Sequence, residues 1–241
     1  MGAVVAWGAQ SAEASFHLMQ IEKIIGNVNG DYGAQAIQLR FRAGLQHLVA
    51  QSRIRAWDAA GLNPVLIIDI TTNLGGGGAS TTGARVLIST AAFNSRTSPT
   101  AVSDFTMTNP IPPTYLDAGS LTFEDDIGQV YWRVSWGGAA YTGSHTGLTD
   151  NDANGNFGPA VDATLDQRCS SLRFTGDADD LSTQNSLQYV AESSGVSVMN
   201  YAEVSFSVED CIPAVSTWGL LAMALVLSSA ASVMVARRAK A

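Results

Sequence analysis

The sequence predicts an all-β protein, an antiparallel β-sandwich followed by a single C-terminal transmembrane helix. Three observations predict it. Short segments of alternating apolar and polar residues recur through the chain, separated by Gly, Asn, Asp and Pro clusters. Only "GLQHLVAQ", residues 44–51, has a helical look, and it is short. The chain closes on an uncharged apolar run that stops at Arg237-Arg238.

Composition narrows the class. At 241 residues, 46% of them hydrophobic, the chain can bury a core as one domain or at most two. Charged residues are 14%, too few for a coiled coil. Setting aside Glu13 and the cations Arg237, Arg238 and Lys240 leaves ten cations against twenty acids, a net −10. Such a surface repels phosphate backbones, so nucleic acid is not an expected partner.

The first residues, "MGAVVAWGAQSAEA", carry the small-x-small pattern Ala12-Glu13-Ala14. They read as the remnant of a signal peptide (1–14) whose start lies upstream, with Ser15 as the mature N-terminus. The competing reading is an ordinary N-terminal segment. The ectodomain spans 15–210. "SFHLMQIEKIIG" reads as a strand and "GNVNGDYG" as a turn. In "QAIQLRFR", Ile37, Leu39 and Phe41 point one way and Gln38, Arg40 and Arg42 the other, a half-buried strand. "SRIRAWD", "AAGLN" and "PVLIIDI" form a hairpin, with Pro64 tolerated at a strand start. "ARVLIST" is a further strand. "LTFEDDIGQVYWRVSW" is the clearest hairpin, turning at Asp125-Asp126-Ile127-Gly128. "SLRFTG", "LQYVAES" and "AEVSFSVED" complete about nine strands, enough for a sandwich.

Trp218 to Ala236 then forms an uncharged run, 218–236, that spans about 28 Å as a helix. Trp218 suits one interface, and the basic tail, 237–241, holds the other end in the cytoplasm, which puts the ectodomain outside. A buried core helix would not be apolar on every face. Residues 211–217 hold Ile212-Pro213-Ala214-Val215, followed by Trp218-Gly219. Pro213 keeps this stretch extended and out of the helix. Motif, span and Arg237-Arg238 resemble the IPTL-CTERM class of bacterial C-terminal sorting signals, relatives of the PEP-CTERM signals. The usual motif reads Ile-Pro-Thr-Leu; Ala214 and Val215 depart from it. The resemblance covers residues 212–241 and implies handling by an exosortase-like membrane transpeptidase. "MQIEKIIGNVNGDYGAQAIQLRFR" also resembles the opening of lamin-tail-type domains, with Ile37-Gln38-Leu39 where those have a Val-Glu-Leu pattern. That resemblance implies an immunoglobulin-like sandwich. The chain as a whole resembles bacterial envelope proteins that pair such a domain with such a tail, and no activity follows from it.

Several residues invite chemistry. In "TDNDANGNFGP", Asp150, Asp152 and Asn154 are spaced like the first three ligands of a calcium loop, with Gly155 next. Val161 stands at the twelfth place where a bidentate Glu is needed, so a plain polar turn competes. "GGGGASTTG" lacks the Gly-Lys-Ser/Thr ending of a phosphate loop and reads as flexible. His17, His47 and His145 carry no motif around them, yet a Ser-His-Asp triad is assembled only by folding. Glu124-Asp125-Asp126 reads as solvated turn residues. Arg40, Arg42, Arg53 and Arg55 share outward parity, as a guanidinium patch or as arginines paired with acids. Cys169 and Cys211 lack metal spacing; outside the cytoplasm they would join in one disulfide closing a loop of about forty residues, and otherwise they are free thiols.

The expected function is non-catalytic: an exported, membrane-anchored or surface-sorted envelope protein whose sandwich makes structural or adhesive contact. Its expected partners are the membrane, the processing enzyme and an envelope glycan or protein, and no cofactor is expected apart from calcium. The rivals are a calcium-assisted glycan-binding module and an extracellular hydrolase. A histidine beside both a Ser and an Asp would favour the hydrolase.

Overall fold

A computed structural model describes residues 16–75, 78, 80–168 and 170–209. The chain divides into two units, Met1–Cys211 and Ile212–Ala241, and every described residue lies in the first. The expected signal-peptide remnant, Cys169, Cys211, the expected sorting motif, the expected 218–236 span and the basic tail all lie outside the described residues. Among the described residues no helix is long and apolar enough to cross a membrane.

The described chain is all-β. Its strands are β1 Met19–Ile25, β2 Ala36–Phe41, β3 Ser52–Trp57, β4 Val65–Ile70, β5 Arg85–Ser89, β6 Thr97–Ser98 and β7 Phe105–Thr106. They continue as β8 Gly119–Asp125, β9 Val130–Trp136, β10 Ser171–Phe174, β11 Tyr189–Glu192, β12 Ser197–Met199 and β13 Ser205–Val208. The α-helix is limited to two single turns, α1 Ala91–Asn94 and α2 Asn185–Gln188. Three sheets result: β11-β10-β1-β2-β5-β7, β4-β3-β8-β9, and the small β12-β13-β6. All pairs are antiparallel except β5 with β7.

Alternation sets the main core. Ile21, Leu39 and Val86 of the large sheet share one buried cluster with Ile54, Phe123, Trp132 and Val134 of the four-stranded sheet. β1 reaches this core from Ile21 and again from Ile24, three residues on, because a bulge between Ile21 and Lys23 inserts one residue and resets parity. The other face of the large sheet is covered as well. Ile25, Ala36 and Leu87 meet Val198 and Phe206 of the small sheet in a second cluster.

The small sheet, as a third layer, and the segment after β10 together correct the half-buried reading of β2. Gln38 and Arg40 do point away from the main core, yet they are 4% and 8% exposed. Met199 N donates to Gln38 Oε1 at 2.5 Å, and Arg40 Nη2 donates to Gly176 O and Asp177 O. The cover comes from residues more than 130 positions later, so no local pattern announces it.

Both expected hairpins form. In β3–β4, Asp58 Oδ1 accepts from Ala60 N and Leu62 N, and Gly61 takes a φ of 70°. In β8–β9, Asp125 Oδ1 accepts from Ile127 N at 3.1 Å and Gln129 N at 2.8 Å, and Gly128 takes a φ of 92°. The helical look of 44–51 is not realised. Leu45 and Gln51 hold φ of 66° and 74°, which a right-handed helix cannot contain, and the segment is a run of turns.

Candidate functional site

The β8–β9 turn, residues 16–17 and Asp150 enclose an open cleft of about 480 Å³. Its floor is aromatic. The Phe16 ring meets the edges of Tyr131 and Phe123 at 5.7 and 6.1 Å. Its walls carry carboxylates. Tyr131 donates its hydroxyl to Asp125 Oδ2 at 3.2 Å, which leaves Tyr131 beside the acid of the turn. His17 Nε2 lies 3.9 Å from Asp150 Oδ2, and its ring tilts against Tyr131 at 6.0 Å. Ile127 stands at the rim, 88% exposed. Asp125 is taken up by its own turn and by Tyr131, so Asp150 and the half-buried Tyr131 ring are what the cleft offers a ligand with apolar C–H faces and outward hydroxyls.

Of the predicted calcium residues, Asp152 and Asn154 share the Asn156 N–H, and Asp150 lines the cleft. Asp150 is exposed and belongs to the cleft. Asp152 is fully buried, and its Oδ1 accepts from Asn154 N at 2.9 Å and Asn156 N at 2.8 Å. Asn154 is exposed, and its Oδ1 accepts from Asn156 N. Asp152 therefore closes the loop on itself, with Gly155 at a φ of 71° inside it. Among the described residues no three His, Cys, Asp or Glu side chains gather as a metal set.

Each histidine meets an acid or a serine. His47 Nδ1 lies 2.6 Å from Ser80 Oγ, and His145 Nδ1 lies 3.2 Å from buried Ser135 Oγ. His17 has Asp150. Among the described residues these contacts bring no histidine to both a serine and an aspartate. Burial, helped by the Arg133 charge, pushes His145 below the ordinary imidazole range. No family model, curated protein or solved structure matches this chain.

The four arginines do not form one patch. Arg40 lies between the layers, 3.1 Å from Glu22. Arg42 ties down a loop through Asp179 O, Asp180 O and Asn151 Oδ1. Arg53 and Arg55 sit on the other large sheet, and both lie against Glu124. Glu124 itself is a correction: it is a fully buried residue of β8, one position before the turn. Arg55 neutralises it through both guanidinium arms while resting 4.6 Å over Trp57. In the glycine loop, residues 76, 77 and 79 lie outside the described residues; a Cβ on Gly78 would meet Tyr201 O at 2.2 Å.

Two polar constructions escaped sequence reading. Glu22 holds both Arg40 and Arg85, which face each other across β2 and β5. An acid at outward parity opposite two arginines was the available signal. Asp104 Oδ2 accepts from Leu87 N and Tyr201 N, both at 2.8 Å, and fastens the 201 turn to the sheet edge. Burial pushes its carboxyl above the ordinary range despite these two donors.

Proposed function

We propose that the chain is an exported, non-catalytic envelope protein that displays its β-body for structural or adhesive contact. The observation that carries this reading is the order of features from Ser205 to the C-terminus. The last described strand, β13, ends at Val208, and in sequence Ile212-Pro213, the uncharged run 218–236 and Arg237-Arg238 follow. A folded body, a short extended motif, a membrane-length apolar run and a basic stop make a sensible anchor in that order. The body reads as an immunoglobulin-like sandwich of the lamin-tail kind. In its support, β1 and β2 pair in one sheet and the chain then crosses to β3 in the facing sheet. An exosortase-like transpeptidase acting at Ile212-Pro213 completes the reading, with the cell surface or matrix as the destination and a bridge between Cys169 and Cys211 as its redox mark.

The cleft favours an envelope glycan as the thing contacted, because Phe16 and Tyr131 stand beside Asp125 and Asp150. The hydrolase reading has no such support. The test uses residues 210–241 fused to an exported reporter. A membrane-bound stage is expected. Val226→Arg should cost about 2.5–3.5 kcal/mol of insertion and weaken retention, since a charge sits mid-bilayer. Replacing Pro213 should leave insertion intact and impair maturation. A reporter secreted freely at full length would overturn the reading.

A further inference from the structure

Five buried side-chain atoms among the described residues make no hydrogen bond: Arg53 Nε, Asp152 Oδ2, Ser182 Oγ, Asn185 Oδ1 and Glu192 Oε2. Two of them have an ionic partner. Arg53 Nε lies 3.5 Å from Glu124, and Glu192 Oε2 lies 3.2 Å from Lys23. The other three are all oxygens on residues with no exposed surface, and backbone contacts link their segments.

The backbone brings them together. Asp152 and Ser182 are partners in a parallel bridge, so their side chains stand on the same side of the two segments. Ala153 N donates to Ser182 O and Ser182 N donates to Asn151 O, which locks that pairing. Asn185 follows three residues later. Its N–H donates to Phe157 O at 2.8 Å, at the far end of the same loop, and its amide Nδ2 faces Ser135 Oγ.

Charge narrows what these oxygens would bind. Asp152 is a fully buried carboxylate, and among the described residues no cationic side chain lies within ion-pair distance of it. Buried charges are normally paired or bound to a metal. Oδ1 is satisfied by two backbone N–H groups, whereas Oδ2, like Ser182 Oγ and Asn185 Oδ1, has no hydrogen-bond partner. A carboxylate, an amide oxygen and a hydroxyl, with no sulfur or imidazole, form a hard donor set. We infer that Asp152, Ser182 and Asn185 bind a hard divalent cation of the calcium class. Calcium fits an irregular oxygen set that backbone carbonyls and water complete, whereas magnesium demands a near-octahedral one. One carboxylate gives a weak site, with a Kd of about 10⁻⁴–10⁻³ M, the range of extracellular modules. The ligand set differs from the one that spacing suggested: Asp152 stays, and Ser182 and Asn185 replace Asp150 and Asn154.

The competing occupant is a buried water, which donates to two acceptors and accepts from one hydroxyl. Calorimetric titration of CaCl2 into the chelator-treated full chain, with thermal unfolding alongside, separates the two. Calcium should bind in that range and raise the Tm, and MgCl2 should bind at least tenfold more weakly. Asp152→Asn should weaken calcium at least tenfold, and Ser182→Ala and Asn185→Ala several-fold each. Asp150→Asn should change nothing. Should Asp152→Asn not fold, the Ser182 and Asn185 variants decide. The inference is overturned by no calcium response at 10 mM in the unmodified chain, which assigns the oxygens to water. Undiminished binding in the Ser182 and Asn185 variants overturns it too, as does loss of binding in Asp150→Asn.

Discussion

Asp104 shows how one carboxyl both holds and burdens the fold. Its Oδ2 accepts from two backbone N–H groups on segments far apart in sequence, Leu87 and Tyr201. Burial raises its pKa, so the folded state takes up the proton more readily than the unfolded chain does. Its contribution to stability is therefore greatest below the unfolded carboxyl pKa of about 3.9 and is lost as pH rises through the raised folded value. Asp104→Asn keeps an acceptor oxygen and removes the charge. In urea unfolding at pH 4, 5.5 and 7, the variant should gain on the parent as pH rises; a difference that stays flat with pH would refute this. Glu192 has the opposite sign. Burial pushes its carboxyl up, but Arg173 and Lys23 together outweigh that and hold it below the ordinary range. Its stabilising contribution is present above the unfolded pKa and fades as pH falls through the lowered one.

At the scale of elements, local chemistry decided what the sequence made legible. The β8–β9 hairpin was readable because Asp125 and Gly128 meet the turn's needs within five residues. A Cβ on Gly128 would meet Arg53 Nη2 at only an ordinary 3.4 Å, so the cost of Gly128→Ala is backbone strain at φ 92° and not a clash. It should be about 1–2 kcal/mol in urea unfolding, and a loss near zero would show that the turn relaxes. The longer strands, and the inward parity of Ile37, Leu39 and Phe41, were legible for the same reason, whereas the short β6, β7 and β12 carry too little alternation to read. Three further features were not legible. The burial of Arg40 needs Gly176 and Asp177, distant in sequence. The burial of Glu124 depends on β3 delivering Arg55 beside it. The cluster at Asp152 needs Ser182 and Asn185, ordinary polar residues in a loop-rich stretch, which carry no pattern at all. Segment 44–51 misled because its apolar spacing mimics a helix while Leu45 and Gln51 hold positive φ.

Across the whole molecule, Trp132 joins the two large sheets. From β9 its indole N–H donates to Tyr189 on β11 at 2.7 Å, and the Tyr189 hydroxyl donates to Ile21 O on β1 at 2.5 Å. The ring also meets Phe157 and Phe174 at 5.5 and 5.3 Å. Trp132→Ala empties a large core volume and should cost about 3–5 kcal/mol. Trp132→Phe keeps most of the ring and loses the donor, so about 1–2 kcal/mol is expected. Equal losses in chemical denaturation would place the cost in the hydrogen bond instead of the packing. The third layer has a mechanical consequence. β13, the last described strand, is held by three residue pairs to β12 and two to β6, and Glu209 N donates to Arg96 O just beyond it. Tension entering the body at residue 209 loads this small sheet before either large one. With so few ladder bonds it yields first, like a fuse, while the Trp132 core keeps its shape.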